Sequence, residues 1–257
     1  MLLAIDAGNT NLTLALYEGS ELVADWRLMT QPERTADEIG MELTQLFALR
    51  GLKLDAVSDV VIASVVPSLN PALVEASARY LKTEPLMVGP GIRTGVRIRS
   101  ENPKEVGADR IANSLAAFRR YGGPVVVIDF GTAVTYDAVS AEGDYLGGAI
   151  APGVQISLEA LVAHTARLHR VEPVAPENVI GRTTVAAIQS GLVWGFVGQV
   201  EGMVRRMVAE LGGSARVIAT GGQADLVARL TSAIELVDPF LTLEGLRLIH
   251  LQNPADG

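Results

Sequence analysis

The chain has 257 residues, 49% of them apolar and 19% charged, which suits one large α/β unit or two half-size ones and excludes wholesale disorder. Its net charge of −8 argues against a general nucleic-acid or membrane-surface binder. No cysteine occurs, so disulfides, thiolate metal sites and cysteine nucleophiles are excluded, and a reducing, cytoplasmic setting is the simplest home. The start MLLAID lacks the basic flank and long apolar stretch of a signal peptide, and no run approaches the roughly 18 apolar residues of a membrane span. The charge is uneven. Residues 93–120 hold Arg93, Arg97, Arg99, Lys104, Arg110, Arg119 and Arg120 against Glu101, Glu105 and Asp109, a local reversal to +4.

In chain order, the apolar run from Leu2 to Ile5 ends in Asp6 and predicts a buried strand that delivers a turn to a cleft. Thr35-x-x-Glu38 is a capping box, followed by Ile39, Leu43, Leu46 and Phe47 on one helical face. Asn70-Pro71 and Asn102-Pro103 each predict a cap before a proline in the first turn, with Glu105 completing a box at Asn102. The second of these helices runs from about 103 to 121 and turns Ile111, Leu115 and Phe118 inward. Gly122-Gly123-Pro124 is a turn signal, after which a second apolar run ends in Asp129. A longer helix, from about 183 to 211, carries Val185, Ile188, Leu192, Phe196, Val200, Val204 and Leu211 at helical spacing. A third run ends in Thr220, and another helix opens at about 223.

IDAGNT (5–10) and IDFGT (128–132) are each followed by an apolar strand pattern and a Glu-Gly turn, Glu18-Gly19 and Glu142-Gly143. This predicts one fold used twice, in strand, strand, strand, helix, strand, helix order, with domains 1–121 and 122–257. Glycines 191, 195, 198 and 202 form a stripe on the long helix, each costing about 1 kcal/mol relative to alanine. Close approach of another helix would compensate, either inside the monomer or at a subunit interface.

The chemistry begins with the twin Asp-x-Gly turns. A carboxylate can hold Mg²⁺ or its waters, glycine lets the backbone approach a phosphate, and threonine donates hydrogen bonds. One such turn is ordinary hairpin chemistry; two on duplicated halves can grip a polyphosphate from both sides. Thr220-Gly221-Gly222 at a helix start admits a flat or anionic ligand, or is only a tight connection. A Walker loop is excluded because no Gly-Lys dipeptide exists, and Gly89-Pro90-Gly91 lacks the third glycine of a dinucleotide fingerprint. With three lysines in the chain, a protein-kinase apparatus is disfavoured. In Gly107-Ala108-Asp109-Arg110, Asp109 either compensates a helix dipole or serves as a general base beside a cationic anchor. His164 and His169 do not converge on one helix face, His250 stands alone, and Ser214 lacks a nucleophile elbow. Trp26 and Trp194 read as packing residues.

With these motifs in order, the sequence resembles the type III pantothenate kinases of the actin-like sugar kinase and acetate kinase superfamily. DAGNTN (6–11), ASVVP (63–67), NPKEVGADRIAN (102–113), DFGTAVTYD (129–137), GGAIAPG (147–153), TTVAAIQSG (183–191) and TGG (220–222) carry the match. The resemblance implies two ribonuclease H-like domains with a nucleotide cleft between them, and ATP-dependent phosphorylation of pantothenate at its 4′-hydroxyl, which begins coenzyme A synthesis. It puts Asp6, Ala7, Gly8, Asn9, Thr10, Asn11, Leu12 and Thr13 in the first phosphate loop, Thr132 in the second, and Gly221 and Gly222 at the adenosine. Asp109 is then the base, with Gly107, Ala108, Asp109, Arg110, Ser100 and Thr184 on pantothenate. Asp129 matches a monovalent-cation (K⁺ or ammonium) ligand, and Asp6 a Mg²⁺ ligand, directly or through water. A homodimer is implied, in which Thr184 can come from the neighbouring subunit. The family commonly has tyrosine where this chain has Ser100, which reaches less far and offers no aromatic wall. A non-catalytic actin-like nucleotide-binding regulator, a phosphatase and a kinase for another small hydroxy acid are the alternatives; ADP release that depends on pantothenate separates them.

Overall fold

A computed structural model describes residues 1–165 and 171–254; His169 lies outside the described residues. The chain divides into two compact units, one made of residues 1–95, 102–116 and the C-terminal segment from Thr242, the other of residues 96–101 and the segment from Ala117 to Leu241.

The first unit is built on strands β1 (Leu2–Ala7), β2 (Asn11–Glu18), β3 (Glu21–Met29), β4 (Asp59–Ser64) and β5 (Leu86–Met87), in sheet order β3-β2-β1-β4-β5. Strands β1 to β3 are antiparallel, and β4 lies parallel to β1. Leu3, Ile5 and Ala7 of β1 join Leu12, Leu14 and Leu16 of β2 in a core closed by helices α1 (Ala36–Leu49) and α2 (Asn70–Ala76). Thr35 caps α1 as expected: its side chain accepts the Glu38 N–H while Glu38 bonds back to the Thr35 N–H at 2.8 Å. Trp26 stacks on Phe47 with ring centroids 5.1 Å apart, a packing role.

The second unit repeats the plan. Strands β6 (Val125–Phe130), β7 (Ala133–Val139), β8 (Tyr145–Pro152), β9 (Arg216–Thr220) and β10 (Leu236–Val237) are ordered β10-β9-β6-β7-β8, so each strand occupies the place of its counterpart in the first sheet. Its core packs Val126, Ile128 and Phe130 of β6 against helices α4 (Val154–Ala163) and α5 (Thr184–Glu210). The Glu-Gly turns join the second and third strands of each sheet, with Gly19 and Gly143 at positive φ. The duplication expected from the two Asp-x-Gly turns is therefore present in the topology.

Several local expectations need correction. Asn102 makes no side-chain cap; Pro103–Glu105 form a single 3₁₀ turn, Val106 is extended, and helix α3 (Ala108–Tyr121) starts only after Gly107. Asn70 lies inside the first turn of α2 and does not cap it. Phe118 is half-buried against Gly143 and Gly123, and Val185, in the first turn of α5, is 51% exposed.

The units also differ from two consecutive halves cut at 121/122. Helix α7 (Leu241–Leu251) packs, from Thr242 onward, within the first unit. Thr242 donates its hydroxyl to Asn113 of α3 at 2.7 Å, and Gly245 packs where any Cβ would collide with the Ala112 backbone. Glu244 and Arg247 form a buried two-pronged ion pair, both contacts 2.8 Å, which raises the Arg247 pKa further; Arg247 also donates to the Gly19 carbonyl at 3.3 Å. In the other direction, Ile98 bridges to Tyr145 and Arg99 pairs with Asp144 at 2.7 Å, so residues 96–101 belong to the second unit.

Among the described residues no helix is long and apolar enough to cross a membrane. The α5 glycines also resolve one open choice. A Cβ at Gly191, Gly195 or Gly198 would meet nothing within 4 Å, so the stripe is not a packing seam within the described chain.

Candidate functional site

Strand alternation places the two aspartates. Ile5 and Ala7 point into the first core, so Asp6 faces the other side of its sheet; Ile128 and Phe130 point into the second core, so Asp129 does the same in its own sheet. Both carboxylates are half-buried one residue before a strand ends. Each has a threonine opposite it on the next strand: Thr13 across from Asp6, and Thr135 across from Asp129. Along the parallel neighbour, Asp6 sits beside Ala63, whereas Asp129 sits beside Thr220.

The first turn runs through Gly8, Asn9 and Thr10, of which Asn9 and Thr10 are exposed, as is Asn11 at the start of β2. The Gly8 N–H donates to the Asn11 carbonyl at 3.0 Å, and a Cβ on Gly8 would come within 3.2 Å of that oxygen. Ala7 and Leu12 are buried in the core, so they serve the turn as packing. The second turn is one residue shorter: the Gly131 N–H donates to the Ala133 carbonyl at 3.0 Å, with Thr132 half-buried between them.

Gly221 lies directly on this second turn. It has φ of +92°, and a Cβ there would stand 2.5 Å from Asp129 Oδ1 and 2.7 Å from the Phe130 backbone nitrogen. The structure thus brings Asp129, Thr220 and Gly221 together in one unit, with exposed Gly222 next in line. The following helix, α6 (Ala224–Ala228), has only five residues, so the close approach of backbone matters more here than a helix dipole.

Gly107 to Arg110 form the start of α3, all half-buried. Asp109 Oδ1 accepts the N–H of Arg110 at 2.8 Å, and the carboxylate folds over Gly107 so closely that a Cβ would collide with it. Ser114 braces the same turn by donating to the Arg110 carbonyl at 2.8 Å. Ser100, half-buried, and Thr184, exposed at the first position of α5, lie on separate elements of the second unit. Arg99 and Arg120 of the basic stretch are neutralised in ion pairs with Asp144 and Asp238, the latter at 2.6 Å. Tyr121 also donates to Asp238 at 2.7 Å; burial first, then that carboxylate, push its hydroxyl up to about 12, so it remains a neutral donor.

Among the described residues no group of three His, Asp or Glu could hold a metal ion; His164 ends α4, and His250 pairs with Asp59 at the opposite end of the first sheet's strands from Asp6. A cation at Asp6 or Asp129 would therefore have one carboxylate, with hydroxyl, carbonyl, water or phosphate oxygens completing its shell. That hard, oxygen-only donor set fits Mg²⁺ or a monovalent cation and does not fit zinc. Sequence reasoning singled out Thr220 with its glycines but assigned no role to Thr30, Gly153 or Thr135. The recurrence of a threonine seven residues after Asp6 and six after Asp129 was a usable signal for Thr135.

Two five-stranded α/β sheets of one topology, each closing its central strand with an aspartate and a glycine turn, make up the actin-like ATPase and sugar kinase fold. Solved structures share the fold: the activator of the 2-hydroxyisocaproyl-CoA dehydratase from Clostridium difficile with bound ADPNP (13% identity, TM-score 0.56, 98% of this chain and 95% of that one) and the inorganic polyphosphate/ATP-glucomannokinase from Arthrobacter (17%, 0.51, 98% and 99%). More specifically, the chain belongs to the type III pantothenate kinase family. The family's sequence model matches residues 2–206, and a type III pantothenate kinase from Moorella thermoacetica is 53% identical over 253 residues, 98% of this chain and 100% of that protein.

Two glycines should respond differently to alanine. At Gly221 the new Cβ meets backbone at a positive φ, so Gly221→Ala should lose about 1–3 kcal/mol. At Gly107 it meets a side chain rather than backbone, and yielding costs at most the Asp109 bond to the Arg110 N–H, so Gly107→Ala should lose less than Gly221→Ala, about 1 kcal/mol. Denaturant unfolding of both variants checks the ranking, and the reverse order would contradict this geometry.

Proposed function

We propose that the chain transfers the γ-phosphoryl group of ATP to the 4′-hydroxyl of pantothenate, the first step of coenzyme A synthesis, with Asp109 as general base. The observation that carries the assignment of the base is the fixed Asp109 carboxylate at the start of α3: one oxygen is held by the Arg110 N–H, which orients the other to take the hydroxyl proton. In a loose phosphoryl-transfer transition state, positioning of the acceptor and compensation of phosphate charge dominate, so the base needs a fixed location more than a shifted pKa. Arg110, in the locally basic stretch, supplies positive charge for the pantothenate carboxylate, with Gly107, Ala108, Ser100 and Thr184 as further contacts.

ATP is held through its phosphates by the turn of residues 6–13, with Ala7 and Leu12 packed beneath it, and by Thr132, and through its adenosine by Gly221, packed on the Asp129 turn, and the exposed Gly222, whose bare backbone a flat group can approach. Asp6 would hold Mg²⁺, directly or through water, and Asp129 a K⁺ or ammonium ion. Bound there, such cations supply positive charge to phosphate oxygens. The cytoplasm, where coenzyme A synthesis has its substrates in reach, is the proposed location.

The proposed assembly is a homodimer through α5. Gly191, Gly195 and Gly198 are exposed with open space above them, which lets a second helix backbone approach closely, and Thr184 begins the same helix.

Three measurements test this. Asp109→Asn should lower kcat by a factor of about 100 or more, the scale of general-base catalysis, while ATP binding measured by calorimetry stays intact. Near-normal turnover would remove the assignment. Replacing K⁺ by Na⁺ should lower activity in the native chain and have no effect in Asp129→Asn; indifference of the native enzyme would count against the cation site. Light scattering should give twice the 27.1 kDa chain mass, falling to one chain mass in Gly195→Leu. A native protein that scatters as one chain would end the dimer proposal.

A further inference from the structure

Each Asp-x-Gly turn is held from behind by the residue that follows the third strand of its sheet. In the second unit this is Gly153, after β8, which donates its N–H to the Thr132 carbonyl at 3.0 Å. It lies so close to the Gly131 and Thr132 carbonyls that a Cβ would collide with Thr132 O. In the first unit the equivalent residue, after β3, is Thr30. Its N–H donates to the Thr10 carbonyl at 3.0 Å, and its hydroxyl adds a second bond, to the Gly8 carbonyl at 2.6 Å. Thr30 is only 8% exposed, a buried polar residue committed to the back of this turn.

The direction of these bonds has a stereochemical consequence. In a planar trans peptide the C=O and the following N–H point to opposite sides. Holding Gly8 O and Thr10 O toward Thr30 turns the N–H groups of Asn9 and Asn11 the other way, on a stretch whose side chains are exposed. Successive N–H groups presented together are what a phosphate oxygen binds. The first turn has two residues between its closing pair, Asn9 and Thr10, where the second has only Thr132, so it has more freedom to lose.

We propose that Thr30 is a positioning residue for phosphate binding: it holds two carbonyls of the 8–10 turn so that the amides of Asn9 and Asn11 face the phosphates of ATP. This rests on the proposed reading of residues 6–13 as a phosphate loop. Valine matches threonine in shape but lacks the donor, whereas serine keeps it. In the full-length enzyme, Thr30→Val should raise the KM for ATP about tenfold, the scale of one lost hydrogen bond, with the KM for pantothenate changed by less than about twofold. Thr30→Ser should restore the ATP value. Thr30→Ala is the second donor-less variant should the valine form fail to fold. Hydrogen exchange separates the two ideas. ATP should slow exchange of the Asn9 and Asn11 amides in the native chain; no protection there would overturn the phosphate-loop reading and Thr30's role with it. Protection in the native chain together with an unchanged ATP KM in both donor-less variants would overturn Thr30 alone. Equal rises in both KM values, with a lowered melting temperature, would likewise mark Thr30 as merely structural.

Discussion

A carboxylate has to leave a buried strand without being buried itself, and the rest of the molecule is arranged around that constraint. Strands β1 and β6 are central, with a ladder on either side, and their apolar residues, apart from Leu2 at the start of β1, have essentially no exposure. An ionised aspartate in the middle of such a strand would carry a large desolvation cost. One residue before the strand ends, the alternation of side chains turns it to the face opposite the helical core and leaves it half-exposed. Two ladders then fix its place along the sheet, because a slip of one residue would exchange Asp6 with Ile5 and Asp129 with Ile128. The glycine turn follows from the same position: the chain must reverse at once to begin the antiparallel partner, and only backbone with little bulk leaves that carboxylate accessible.

This explains which parts were legible in the sequence. Strands β1, β6 and β9 are runs of aliphatic residues that stop at Asp6, Asp129 and Thr220, so periodicity and interruption both speak locally. Helix α1 announces itself through Thr35 and Glu38, and α5 through apolar residues at helical spacing from Ile188 to Val204. The return of α7 to the first unit was not legible, because its cause is a contact between residues more than a hundred positions apart. Gly245 looks like a helix-weakening residue until Ala112 is found against it. Residues 96–101 similarly join the second unit through a short bridge to Tyr145 that no periodicity marks. Asn102 misled because a cap and a following proline describe a turn as well as a helix start, and extended Val106 chose the turn.

Glycine serves three separate purposes here, and spacing alone does not tell them apart. Gly245 and Gly221 are close-approach positions, the first against a helix backbone and the second against the Asp129 turn. Gly107 makes room for a side chain, since the Asp109 carboxylate occupies the space a Cβ would take. Gly191, Gly195 and Gly198 of α5 have no neighbour over them, so their cost in helix propensity has no compensation within the described chain. That uncompensated cost is the physical reason to look outside the monomer for their role, and it is independent of any family likeness.

The two turns, finally, are alike in plan and unlike in construction. Both sheets use the first residue beyond the third strand to secure the turn between the first two, through an N–H bond of 3.0 Å in each case. The shorter turn, with Thr132 alone between its closing residues, is held by Gly153, where there is no space for a side chain. The longer turn carries an additional residue and an additional bond, the Thr30 hydroxyl on Gly8. The backbone bond is common to both copies, and the longer turn, with more freedom to lose, is the one that carries the second constraint. The second sheet differs in another way, with Thr220 beside its aspartate where the first has Ala63, and with Gly221 packed against the carboxylate. The two turns therefore differ in what constrains them: the longer has two of its carbonyls tied back to Thr30, and the shorter has its aspartate flanked by Thr135 on one strand and Thr220 on the other.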